Sequence, residues 1–120
     1  MMLYRELEEK VLKILIKDGY IGERARYNAK QIKGHWVQHK LDFFHCFDII
    51  ALKIPEPVRF IQVCVEGQVK QHKDKIDELF LLYPFVGDSF TVEIIVPEKI
   101  KNKWVISKIY RRLAHDWVSL

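Results

Sequence analysis

Apolar positions along the chain fall into two alternating kinds of pattern. Leu7, Val11, Ile14 and Leu15 keep the spacing of an amphipathic helix, which predicts a first helix over Leu3–Asp18. Acids gather early in it and bases late, as the helix dipole favours, and Gly19 follows as a C-cap. Tyr20–Tyr27 predicts a first strand, with Arg24 and Arg26 sharing one face by the two-residue alternation. Residues 28–43 are mixed in polarity and read as a loop with a short strand at His35–His39. Cys46–Ile54 and Val58–Val65 are dense apolar runs separated by Pro55 and Pro57, and they read as a hairpin. Val69–Tyr83 returns to helical spacing through Ile76, Leu79, Phe80 and Tyr83. Ser89–Val96 alternates as a strand up to Pro97, and residues 98–103 read as a lysine-rich loop. Trp104–Ile106 follows as a short strand, and Ser107–Val118 as a final helix carrying Ile109, Leu113 and Trp117.

Two apolar strands without a polar face expect cover on both sides, and the long crossover from Val65 to Ser89 suits parallel pairing. The expectation is an α/β fold with a mixed central sheet flanked by helices, in the order αβββαβ plus a C-terminal helix. At 120 residues, 49% of them hydrophobic, the chain is long enough for a packed core and is expected to form a single domain over residues 1–120.

The formal charge of +4, from 20 Lys and Arg against 16 Asp and Glu, permits nucleic-acid binding without demanding it. The charged start MMLYRELEEK lacks the apolar stretch of a signal peptide, and no run is long enough for a membrane helix. With two cysteines, Cys46 and Cys64, the expectation is a cytoplasmic protein with reduced thiols and no membrane partner.

Candidate chemistry centres on the two apolar runs. Asp48 stands at the mouth of the first, and Gln62-Val63-Cys64 closes the second. Phosphodiester hydrolysis needs a metal to polarise the phosphate and to lower the pKa of an attacking water. Magnesium takes oxygen donors, commonly one or two carboxylates. Acidic and amide groups on adjacent strand ends are a compact way to supply them.

The element order and the segment Phe47-Asp48-Ile49-Ile50-Ala51 followed by Gln62-Val63-Cys64 resemble the restriction-endonuclease-like superfamily, whose motif is written PD-(D/E)XK. Within it the chain resembles the archaeal Holliday-junction resolvases. They share a Glu-bearing first helix that ends at a Gly-aromatic pair, here Gly19-Tyr20, and an Arg-bearing strand, here with Arg24 and Arg26. The likeness covers roughly residues 4–96. It implies a nuclease-like core and a metal-dependent DNA endonuclease using Mg2+ or Mn2+. Asp48 and Gln62 would hold the metal, and counting back from Gly19 places the helix Glu on Glu8, with Glu6 and Glu9 as alternatives. Arg24, Arg26, Lys33 and Lys40 would face DNA, branched DNA included, and a homodimer is implied. Cys64 departs from the motif, because it stands where the family has lysine. Either another lysine, such as Lys53 or Lys70, takes that role, or the fold acts as a catalytically silent nucleic-acid-binding or assembly module. A structural dimer with no nucleic-acid role is a third reading.

Each residue also has a plainer reading. Asp48 could cap a strand or pair with an arginine, Gln62 could be a satisfied core amide, and Glu8 could belong to a solvated helix face. Cys64 reads as a small buried hydrophobe. Lys30, Lys33, His35, His39 and Lys40 around Trp36 could track a phosphate backbone or form an ordinary solvated loop. Lys99, Lys101 and Lys103 read as solvation, and Trp104, Tyr110 and Trp117 as core or dimer surface. His35, His39, His45 and Cys46 have spacing that zinc could use, but neighbours on a strand point to opposite faces, which argues against His45 and Cys46 ligating together.

Overall fold

A computed structural model describes residues 4–32, 35–41, 43, 46–82, 89–113 and 116–120; of residues 4, 26–32 and 35–41 it describes the backbone alone. Helix α1 (Tyr4–Lys17) is followed by strand β1 (Ile21–Arg24), the pair β2 (Arg26–Ile32) and β3 (His35–Leu41), and strands β4 (Ile49–Leu52) and β5 (Val58–Val63). A 3-10 turn (Glu66–Gln68) leads into helix α2 (Val69–Leu82), and the chain closes with β6 (Phe90–Ile100), β7 (Lys103–Leu113) and β8 (Asp116–Ser119).

Six strands form one mixed sheet in the order β1-β4-β5-β6-β7-β8. Only β5 and β6 run parallel within it, joined through α2 as a crossover connection requires. Helices cover both faces. Leu7, Val11 and Leu15 of α1 pack on Ile49, Ala51, Ile61, Val63 and Ile95. Val69 and Ile76 of α2 pack on the other face with Cys64, Val92, Ile94 and Val96. The strict alternation of these two sets along β5 and β6 is why both runs are apolar at nearly every position. Each fully buried Ile or Val contributes about 1.5–3 kcal/mol against leaving it in water.

Helix α1 ends in a Schellman motif: Tyr20 N–H donates to Leu15 O and Gly19 N–H to Ile16 O, with Gly19 at φ 96°. Gly22 on β1 leaves room for Leu12 of α1: a Cβ there would lie 2.5 Å from Leu12 Cδ1, so the Leu12 side chain would have to shift.

The structure corrects the expected topology in four places. The strand expected over Tyr20–Tyr27 divides at Ala25, so that Arg24 lies in β1 of the six-stranded sheet and Arg26 in β2 of the two-stranded one. The stretch read as a loop with a short strand at His35–His39 holds that strand within β3 and a second one paired with it: β2 and β3 form a separate two-stranded antiparallel sheet, in register from Arg26↔Leu41 to Ile32↔His35. Pro97 does not end the strand before it. It lies at a register shift between Val96 and Pro97, a kind of irregularity that admits proline into a strand, and β6 runs on to Ile100.

The expected final helix over Ser107–Val118 is instead β7 and β8, and the lysine-rich loop shrinks to a tight turn at Lys101-Asn102. Pairings Pro97↔Ile106 and Val96↔Lys108 leave one extra residue in β7, which flips its alternation. Trp104 and Ile106 face α1 before the bulge, and Ile109 faces it after. The i, i+4, i+8 stripe of the expected helix divides between two strands: Ile109 of β7 packs on the α1-side core, Leu113 is exposed, and Trp117 of β8 packs on the α2-side core. Tyr83, the expected last apolar residue of α2, lies outside the described residues. Among the described residues no helix is long and apolar enough to cross a membrane.

Candidate metal site at the end of the sheet

Asp48 occupies a bend just before β4. Its backbone N–H donates to Ile61 O (2.8 Å) and its carbonyl accepts from Ala25 N–H (2.7 Å), so the residue is fixed between β1 and β5. Its carboxylate Oδ2 accepts from the Val63 N–H at 2.8 Å. One step beyond the pairing Ile49↔Ile61, Asp48 stands opposite Gln62. The Gln62 amide donates from Nε2 to Val63 O at 3.0 Å, which leaves the carbonyl Oε1 as the donor atom it can offer a cation.

Glu8 reaches the same end of the sheet from α1. Leu7 and Val11 beside it pack on Ile49, Ile61 and Val63. The first half of α1 is tethered to this end by Arg24, whose Nη1 donates to Arg5 O (3.1 Å) and lies 3.4 Å from Glu9 Oε1. The next residue, Ala25, is the one bonded to Asp48. Glu8 and Asp48 are each 0% exposed and Gln62 is 5% exposed. Glu6 and Glu9, the alternatives on the helix, are exposed.

These donors fit a hard cation, because two carboxylates and an amide oxygen are the atoms magnesium prefers. The set holds only two acids, and among the described residues no group of three or more His, Cys, Asp and Glu is suited to a metal. His45 is outside the described residues, and His35 and His39 are described in backbone only.

Cys64 is fully buried among Phe47, Val69 and Val96 on the α2 face. Burial pushes its thiol up, and the nearby Glu66 charge adds to that, to about 12. It is a neutral core side chain at neutral pH and supplies no substitute for a lysine charge. Cys46 is buried as well, its Sγ 3.9 Å from Lys75 O. Neither thiol is therefore expected to react with a thiol-specific chromogenic disulfide in the folded protein, and both should react in denaturant. Stoichiometric labelling of the native protein would contradict this burial.

The alternative lysines stand elsewhere. Lys53 is at the opposite end of β4, donating to Asp18 O at 2.9 Å and lying over the Tyr20 ring. Lys70 projects into solvent and pairs with Asp74 at 3.3 Å. Of the residues expected to face DNA, Arg24 holds α1 to β1 as described above. Arg26 and Lys40 are described in backbone only, and Lys33 lies outside the described residues. Trp104 packs against the α1-side core, and Tyr110 and Trp117 against the α2-side core, as their core reading expects.

A second charged cluster is absent from the sequence reading. Arg59 donates from Nε to Glu93 Oε2 (2.8 Å) and from Nη2 to Oε1 (2.6 Å). Thr91 Oγ1 donates to Oε2 (2.6 Å), and Arg111 Nη2 lies 3.8 Å from Oε1. Burial pushes the Glu93 carboxyl up, but the bonds from Arg59 and Thr91 and the charges of Arg59 and Arg111 outweigh it, so it is held below the usual carboxylate range. Its signal in the sequence is a lone Glu at an inward position of SFTVEIIV, matched by a lone Arg in VRFIQV. With every carboxylate oxygen engaged, Glu93 reads as a structural anion rather than a ligand.

Comparison of the chain with protein-family models, with curated proteins and with solved structures finds no match in any of the three. What the fold and the site define is therefore a class by geometry: an α/β protein with a mixed six-stranded sheet between two helices, carrying buried acidic and amide groups at one end of that sheet.

Proposed function

We propose that the chain is a metal-dependent DNA endonuclease with a restriction-endonuclease-like core, of the Holliday-junction-resolvase-like kind. What supports this reading is that Asp48 and Gln62 stand opposite each other at one end of the sheet and that both, like Glu8 of α1, are buried. Magnesium or manganese bound there would polarise a phosphate and acidify a water. Asp48 contributes a carboxylate whose direction is set by the Val63 N–H, so little reorganisation is needed to receive a cation. Gln62 contributes a neutral oxygen whose orientation is set by the Val63 carbonyl. Glu8 adds a second negative charge from the helix side.

A second reading is favoured by Cys64. A neutral thiol enclosed by apolar side chains leaves the family's lysine charge unreplaced, which suits a silent module that binds nucleic acid without cutting it.

One assay separates the two. Linear duplex, single-stranded and four-way-junction DNA are incubated with the protein and Mg2+ or Mn2+, and Mn2+ binding is followed in parallel by calorimetric titration. The nuclease reading expects metal-dependent cutting and a Mn2+ heat that disappears in Asp48→Asn. DNA binding with neither cutting nor Mn2+ heat would overturn it in favour of the silent module.

A further inference from the structure

The β6–β7 hairpin extends beyond the strands that carry the candidate site. Gln62 and Val63 of β5 pair with Ile94 and Ile95 of β6, and Cys64 N–H makes the last bond to that strand at Ile95 O. From there β6 continues to Ile100 beside β7 alone. Five residues at about 3.3 Å each carry this arm about 17 Å past the level of Val63, whose N–H holds Asp48.

The arm is firmly based. Pro97 is buried at the bulge, and Trp104 and Ile106 pack against the core cluster that includes Leu7 of α1. Its tip is a two-residue turn with Lys101 at φ 50° and Asn102 at φ 61°, the type I′ geometry that matches strand twist and makes a compact tip. Lys99, Lys101 and Lys103 are all exposed around that tip, against one exposed acid on the arm, Glu98. A rigid basic projection starting level with a candidate phosphodiester-cutting site is placed to meet the phosphates flanking the bond held there.

We propose that the β6–β7 arm is a phosphate-backbone contact that holds DNA across the Glu8, Asp48 and Gln62 end of the sheet, through Lys99, Lys101 and Lys103. The nuclease reading supplies the identity of the partner; the arm's geometry supplies the place. Phosphate contacts of this kind fix position without reading sequence, so they add affinity equally on any duplex.

The test is the salt dependence of binding to a short fluorescent duplex, measured by anisotropy in the absence of added divalent metal. The triple variant Lys99→Gln/Lys101→Gln/Lys103→Gln is compared with the parent. A second triple variant, Lys13→Gln/Lys17→Gln/Lys75→Gln, removes the same charge from exposed helix positions off the arm. Thermal unfolding of all three proteins checks the fold. Each lost phosphate contact lowers the slope of log K against log salt by about 0.9, so the arm variant should lose about 2.7 and the helix variant should keep the parental slope. Equal slopes in arm variant and parent, equal losses in both variants, or no duplex binding by the parent would each overturn the proposal. The metal site is judged separately by the Mn2+ heat. A parent that binds duplex through the arm but gives no Mn2+ heat keeps the arm and removes the nuclease reading.

Discussion

Replacing Arg59 by alanine should cost about 3–5 kcal/mol of stability, the usual penalty for stripping one partner from a buried ion pair. Against the roughly 5–15 kcal/mol that holds a typical domain, this is the largest loss expected from a single polar substitution. The cause is what remains: Glu93 is 0% exposed, and without Arg59 its charge keeps only the Thr91 hydroxyl and Arg111 at 3.8 Å. Glu93→Gln should be comparably damaging, because it leaves the Arg59 guanidinium half-satisfied under the sheet face. The double variant Arg59→Ala/Glu93→Gln should lose less than the two single changes summed, since it leaves no orphaned charge. Urea unfolding of the four proteins checks this; additive losses would show that the pair is not coupled.

The same pair predicts how stability follows pH. Glu93 is held below its unfolded value of about 4.3, so its contribution is fully present above that pH. It is lost as pH falls through the lower folded-state value, where the buried carboxylate takes up a proton. The parent should therefore weaken below about pH 4.3, and Glu93→Gln should weaken less steeply over the same range.

The second large effect is expected at Asp48, and it divides into two parts that different substitutions separate. Asp48→Ala removes both the charge and the acceptor of the Val63 N–H, which is buried at the strand end. The orphaned donor should cost about 1–3 kcal/mol. Asp48→Asn keeps an oxygen for that bond and removes only the charge, so its stability should stay within about 1 kcal/mol of the parent. Under the proposed nuclease reading, metal-dependent cutting should fall in both, by more than the roughly 100-fold typical of outer-shell changes around a metal. Equal cutting by Asp48→Asn and the parent would remove Asp48 from the metal site and leave it a strand-end cap.

The sequence by itself determined the two helices, the β4–β5 hairpin across its proline turn, and the burial of Asp48 and Gln62. These are local or nearly local: a helical stripe ending at Gly19, and two apolar runs short enough to be nothing but strands. Counting back from Gly19 singles out Glu8, with Glu6 and Glu9 as alternatives, and the structure adds that it is the buried one of the three. Its burial, and the exposure of Glu6 and Glu9, depend on which helix face meets the sheet.

Tertiary structure decided the rest. Ile109, Leu113 and Trp117 keep helical spacing in the sequence, yet they lie on β7 and β8, which only pairing with β6 and with each other makes strands. The same pairing carries β6 through Pro97 and turns a lysine-rich stretch from solvated loop into an arm. Arg59 and Glu93 lie 34 residues apart and become partners because β5 and β6 run parallel with Arg59 beside Thr91. Long-range pairing assigns these residues their neighbours, and a neighbour far along the chain leaves no periodic trace in the local pattern.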